Sequence, residues 1–292
     1  MAVSQFTTSP DSLGLGLCKQ KYLTCRKFWE SSEAFDFGPS ITLLIDESID
    51  TWPLDTNNLK KVLADNSPLD ESTIENFDPN FKGFHAIEYL LFGIGGAKQI
   101  GQFTSRDLAY LKALTENLKV ETGILLNAWQ SNGQNFGGLW SNAGVGNSLY
   151  SSQNSAIQEV TNACLDLLDE LPNQKIDNPL KQNDPALEEA FFSNNTKNEY
   201  LYNVRSLLNV YYGSLDMSAG NGLQTIIQAR NPNTHVLFNQ QLLEAYSAAQ
   251  NIPNDFTYAL FHDKSSIETA KAKLVTAYTT YKNQIAPILL GL

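Results

Sequence analysis

Phe81-Lys82-Gly83-Phe84-His85-Ala86-Ile87-Glu88-Tyr89-Leu90-Leu91-Phe92-Gly93 sets one imidazole and one carboxylate inside an otherwise apolar helical run. On a helix, residues three apart share a face, with Cβ atoms roughly 5–6 Å apart, so His85 and Glu88 can converge on one metal ion, one water or one ligand group. Phe84, Ile87, Leu91 and Phe92 spread an apolar surface around that face and desolvate the pair. A desolvated carboxylate favours its neutral form, whereas a metal or a neighbouring cation draws it back to the charged one. The occupant of the site therefore decides its charge state. The same two side chains would also serve as a hydrogen-bonded pair tying helices together, and tight zinc sites take three or four ligands.

Outward from this stretch the pattern stays helical. A first helix is expected over about 13–32, with Leu17, Tyr22, Leu23, Cys25, Phe28 and Trp29 supplying its apolar faces. Near its end Glu30 and Glu33 are three apart and offer a second carboxylate cluster or an ordinary solvated face, with Arg26 four residues before Glu30. Gly38-Pro39 is a break, a short helix follows over about 41–50, and Trp52, standing before Pro53, is expected in an extended turn. The glycine-rich segment 93–101 reads as a flexible connector without the spacing or the basic residue of a phosphate-cradling loop.

Thr104 or Ser105 can cap the next helix, which runs to about Gln130, and a glycine- and asparagine-rich connector occupies 131–152. Further helices are expected over about 153–171, ended by Pro172, over 195–216, over 223–229 continued by 234–251, and over 265–289. Arg205 is a charge on a polar and aromatic helix, open to a carboxylate partner or to solvent. His235 and His262 are isolated, and each reads as an ordinary loop or surface histidine.

Helical periodicity dominates, alternating valine-rich strands are missing, and prolines fall between periodic segments, so the fold class is all-α. A chain of 292 residues with 42% hydrophobic and 17% charged residues can bury a sizeable core in one large or two smaller domains. The formal net charge of −11 argues against duplex nucleic acid or an anionic membrane surface as partner, because both demand basic patches. No apolar run reaches the eighteen or so residues of a transmembrane segment. The N-terminus lacks the basic and apolar regions of a signal peptide, which fits a cytosolic protein or a mature form whose export signal has been removed. Cys18, Cys25 and Cys164 are odd in number and are read as small buried or free thiols.

Three ordered strings carry a family resemblance. Trp29-Glu30-x-x-Glu33-Ala34-Phe35-x-Phe37-Gly38-Pro39, Ile49-Asp50-Thr51-Trp52-Pro53-Leu54-Asp55 and the Gly-x-His-x-x-Glu motif of Gly83, His85 and Glu88 resemble the imelysin-like family, also called peptidase family M75, which includes iron-regulated protein A. Lys175-Ile176-Asp177-Asn178-Pro179-Leu180 and Tyr211-Tyr212-Gly213 are similar to later segments of the same family. The resemblance covers most of the chain. It implies two packed helical-bundle domains, here 1–140 and 141–292, with the motif helix of the first facing a cleft between them.

The resemblance also implies a cell-envelope protein of bacterial iron uptake, periplasmic or anchored to the outer membrane as a lipoprotein and working with other envelope iron-uptake components. It would bind a metal ion or an iron-containing ligand through His85 and Glu88, with Arg26, Glu30, Glu33, Asp50, Trp52, Arg205 and Tyr212 as candidate neighbours. Iron accepts such nitrogen and oxygen donors. The alternatives are a zinc peptidase and a haem protein. The peptidase would use His85, Glu88 and either His235 or His262 as ligands and Glu30 or Glu33 as base, although His-Glu-x-x-His is missing. The haem protein would use His85 as an axial donor.

Overall fold

The computed structural model describes residues 2–147, 149–218 and 220–291, and every regular element among them is helical. The helices used below are α1 (Ser12–Glu30), the short α2 (Ile45–Asp50), α3 (Gly83–Phe92), α4 (Ser105–Trp129), α5 (Gln153–Glu170), α6 (Thr196–Tyr212), α7 (Pro232–Asn251) and α8 (Lys264–Thr280), with further short helices and turns between them. The chain divides into two compact units, each drawn from separate stretches. Met1–Arg26, Gly38–Phe136 and Glu189–Asn194 make the first, and Lys27–Phe37, Gly137–Glu188 and Asn195–Leu292 the second.

In the first unit α3 is the core element. Every residue of α3 except Tyr89 is buried, as expected for a helix apolar on nearly all sides. It packs on α4 and α2, and Tyr22 sets its ring edge against Phe84 and Phe92, with centroids 6.3 and 5.6 Å away. The Tyr110 hydroxyl on α4 donates to the Phe81 carbonyl just before α3 begins. Thr104 caps α4 through a reciprocal pair, its Oγ1 accepting from the Asp107 N–H at 3.0 Å while Asp107 accepts from the Thr104 N–H at 2.8 Å.

Two expectations change in this unit. The helix expected over 41–50 is two pieces, Pro39–Thr42 and Ile45–Asp50, because Leu44 adopts a left-handed φ of 55° between them. The segment 93–101 is not a loose connector. It forms two 3-10 turns, and the Lys19 ammonium donates to the carbonyls of Gly96 and Lys98 at 3.4 and 3.1 Å.

In the second unit α7 and α8 lie side by side, α6 packs on α7 and α5 on α8. Leu167, Leu168, Tyr200, Leu207, Leu208, Phe238, Leu242 and Leu274 fill the interior. Pro172 does not end its helix as expected. The chain runs on from α5 through a π turn, Leu171–Lys175, in which the Ile176 N–H reaches the Leu171 carbonyl at 3.0 Å. Proline has no N–H to give, and near the start of a turn none is required of it, so the wider turn accepts Pro172 and carries the helix past it. A second π turn, Tyr281–Ile285, follows α8. Helix α6 stops at Tyr212, four residues sooner than expected, because Gly213 takes the left-handed cap at φ 70°. Cys18, Cys25 and Cys164 are free thiols, the first and last of them buried.

Gly83 is the position where a side chain is least tolerable. Its φ is +68°, and a Cβ would stand 2.2 Å from the carbonyl oxygen of Ile49 at the end of α2. Gly83→Ala therefore forces α2 and α3 apart as well as straining the backbone, and it should destabilise the protein by about 3 kcal/mol or more. Urea unfolding followed by circular dichroism measures this, and a loss below about 1 kcal/mol would show that the two helices can separate without cost.

Candidate metal centre

Three elements of the first unit bring four of the predicted residues together. Helix α1 contributes Arg26, α2 ends on Asp50, and α3 presents His85 and Glu88 one turn apart. His85 is 1% exposed, and Arg26 and Glu88 are 0%. Their side chains converge: His85 Nδ1 lies 3.6 Å from Glu88 Oε2, and His85 Nε2 lies 3.3 Å from Asp50 Oδ1. The imidazole is thus held between two carboxylates.

Hydrogen bonding inside this group is uneven. Glu88 Oε1 accepts twice from Ser193, from the backbone N–H at 2.7 Å and from the hydroxyl at 2.6 Å. Glu88 Oε2 and both nitrogens of His85 are buried without a partner in hydrogen-bonding geometry. Buried polar atoms of native proteins are nearly always satisfied, so three such atoms on two adjacent side chains are a departure that calls for a cause. Arg26 pairs with Asp50 in a short ion pair, approaches Glu189 Oε1 at 3.6 Å, and stacks its guanidinium over Phe84 at 4.9 Å.

Burial by itself would depress the basicity of His85. The carboxylates of Asp50 and Glu88 outweigh that penalty and the opposing charge of Arg26, so the imidazole is held at a pKa of about 10. At neutral pH a proton fills the position that a metal could take. An imidazole nitrogen and a carboxylate oxygen with no other partner, each buried, form a donor set that suits iron, zinc or manganese better than calcium, which prefers oxygen alone. Asp50, 3.3 Å from the far nitrogen, stands on the ring edge opposite Glu88, where an orienting carboxylate would stand.

The remaining predicted residues have contacts of their own. Trp52, half-buried two positions past Asp50 and joined to Pro53 by a cis peptide bond, makes none of these polar contacts. Glu30 and Glu33 belong to the second unit, where they flank the Lys175 ammonium, each at 3.9 Å. Glu30 also accepts from the Asn203 side chain at 2.6 Å, so it is a buried ion-pair member rather than part of a solvated face. Arg205 donates to Asn209 at 3.2 Å and to the Leu215 carbonyl at 2.6 Å, closing the C-terminal end of α6. Tyr212 donates to Asn239 at 2.6 Å.

The two distant histidines are in the second unit as well. His235 Nδ1 meets the Tyr211 hydroxyl at 2.7 Å, and His262 is exposed beside the Tyr258 ring, 4.6 Å between centroids. Glu189 and Ser193 escaped the sequence reading. They lie a hundred residues beyond the motif, in a segment whose composition marks it only as polar and aromatic.

The comparisons agree with the helical architecture. The chain is 29% identical over 293 aligned positions to iron-regulated protein A of Synechococcus elongatus, an alignment covering 99% of this chain and 79% of that protein. Its fold matches a crystal structure named for an iron-regulated protein A precursor of Parabacteroides distasonis, with a TM-score of 0.86 at 24% identity over 99% of this chain and 86% of the other. It also matches an imelysin-like protein of Psychrobacter arcticum, with a TM-score of 0.77 at 15% identity over 100% and 86%. The family description Imelysin, of peptidase family M75, fits residues 1–285, and the chain therefore belongs to the imelysin family.

Proposed function

We propose that this protein binds a metal ion, or an iron-containing ligand, through His85 Nδ1 and Glu88 Oε2. The observation that carries this reading is the pair itself: two buried ligand atoms 3.6 Å apart, neither with a hydrogen-bond partner. Asp50 would fix the imidazole by accepting from Nε2–H, and Arg26 would hold Asp50 in place. Two protein donors leave coordination positions for water or for atoms of a ligand, which suits a carrier of an iron-containing cargo better than a closed structural site. Iron is the metal chosen because it accepts this donor set and because the Synechococcus relative is named for regulation by iron. A role in iron uptake at the bacterial cell envelope is what the resemblance to the imelysin-like family implies, and no helix among the described residues is long and apolar enough to cross a membrane.

Calorimetric titration with ferrous iron under anaerobic conditions should show one equivalent bound by the natural chain and none by the double variant His85→Ala/Glu88→Ala. The variant's far-ultraviolet circular dichroism should stay helical. Stoichiometric binding by the variant would remove these residues from the site.

The charge state adds a second expectation. With its pKa at about 10, His85 carries a proton in the metal-free protein at pH 7, and coordination requires that proton to leave. Each ion bound at pH 7 should release close to one proton from His85, and affinity should rise about tenfold per pH unit towards pH 10 before levelling. Titrations in buffers of different ionisation enthalpy count the protons. A count of zero at pH 7 would mean that the imidazole is neutral or is not a ligand.

A further inference from the structure

Glu88 divides its two oxygens between different tasks. Oε1 is occupied twice by Ser193, whose N–H and hydroxyl both point at it, while Oε2 faces His85 Nδ1. Ser193 belongs to Glu189–Asn194, a short strap that joins the first unit although its neighbours in the chain belong to the second. The strap is fastened at several points. Glu189 approaches Arg26 at 3.6 Å, and the Phe192 ring packs edge-on to Tyr89 of α3 with centroids 5.1 Å apart. On the second-unit side, Glu188 accepts from the hydroxyls of Thr196 and Thr257 at 3.0 and 2.6 Å, and Asn195 donates to Glu199 at 3.1 Å.

A carboxylate with one oxygen held by two donors cannot turn both oxygens to an ion without giving those bonds up. Charge-assisted hydrogen bonds of this kind are the stronger ones, so the rotamer that aims Oε2 at the imidazole is locked. We infer that Ser193 is the positioning residue of the metal centre, presenting Glu88 to the ion through Oε2 alone and tying that presentation to the strap 189–194. This inference rests on the metal reading above for its ligand but on the Ser193 contacts for its substance. A one-oxygen carboxylate beside an imidazole favours compact transition-metal ions over calcium, whose sites commonly take both oxygens of a carboxylate.

Cobalt(II), which takes nitrogen and oxygen donors and is seen by its visible absorption, is the probe. Ser193→Ala should weaken cobalt binding by about tenfold or more, the usual effect of losing a group that orients a ligand, and Ser193→Thr, which restores the hydroxyl, should recover most of it. Unchanged affinity in Ser193→Ala, or a threonine variant as weak as the alanine one while equally folded, would overturn the assignment. Amide exchange of the peptide containing 189–194 supplies a readout without metal. Glu88→Ala removes the acceptor, so exchange at Ser193 should quicken at least tenfold, and equal exchange would likewise overturn the assignment. If the natural chain takes up no cobalt or iron at all, the metal reading fails, and the exchange measurement still decides whether Glu88 holds the strap.

Discussion

A buried imidazole between two carboxylates is a demand for positive charge. Asp50 and Glu88 lie on opposite edges of the His85 ring, 3.3 and 3.6 Å from its nitrogens, where water does not screen them. Isolated buried carboxylates are expensive, and they are retained only where a cation or hydrogen-bond donors compensate them. Arg26 does so for Asp50, and Ser193 does so for one oxygen of Glu88. The other oxygen of Glu88 is left to the imidazole edge, where a proton on His85 supplies the compensating charge, and under the proposal above an ion would take that proton's place. The high basicity of His85 and the metal binding proposed above would be two consequences of one arrangement.

Backbone geometry makes that arrangement available. Helix α3 could be buried against its neighbours through apolar contacts alone, and a purely apolar helix would pack at several rotations about its axis. The contact between Gly83 and the carbonyl of Ile49 removes that freedom at the N-terminal end, since a residue without a side chain lets α3 sit directly on the end of α2. Asp50 is the next residue after Ile49 in α2. The same close approach that fixes α3 therefore brings the Asp50 carboxylate to His85, one turn into the helix. In the Gly-x-His-x-x-Glu motif, glycine is the term that sets where histidine and glutamate can meet their partners.

Most of the fold was legible from spacing and breaks. The segment 105–129 is a helix with the expected Thr104 cap, and the helix expected over 234–251 forms from Pro232, because apolar periodicity and the residues at the helix start point the same way. Errors gathered where one local signal stood for a choice that the surroundings make. Pro172 looked like a stop, yet a π turn passes it; 41–50 looked like one helix, yet Leu44 turns left-handed within it. Of the site, His85 and Glu88 were readable because a helix repeats every 3.6 residues and their separation falls on it. Asp50 was reachable only as a member of a string with a family likeness, and Arg26 only as the residue four before Glu30. The Glu30 and Glu33 pair shares the three-residue spacing of the motif, and the structure gives it an ion pair with Lys175. Spacing identifies a shared face and says nothing of what the face meets.

Ser193 and Glu189 mark the limit of local reading for a physical reason. Ser193 is 105 positions from the carboxylate it holds, and no periodicity links positions so far apart. The first unit is closed only when the chain, having passed through 137–188 of the second, returns for six residues and leaves again. A piece of chain cut after the first helices would keep Arg26, Asp50, His85 and Glu88, yet Glu88 Oε1 would lose both of its donors. The freed carboxylate could then rotate, and its preference for presenting Oε2 would vanish with the strap. The completed centre is thus a property of long-range chain topology. Only the motif that begins it is written in consecutive residues.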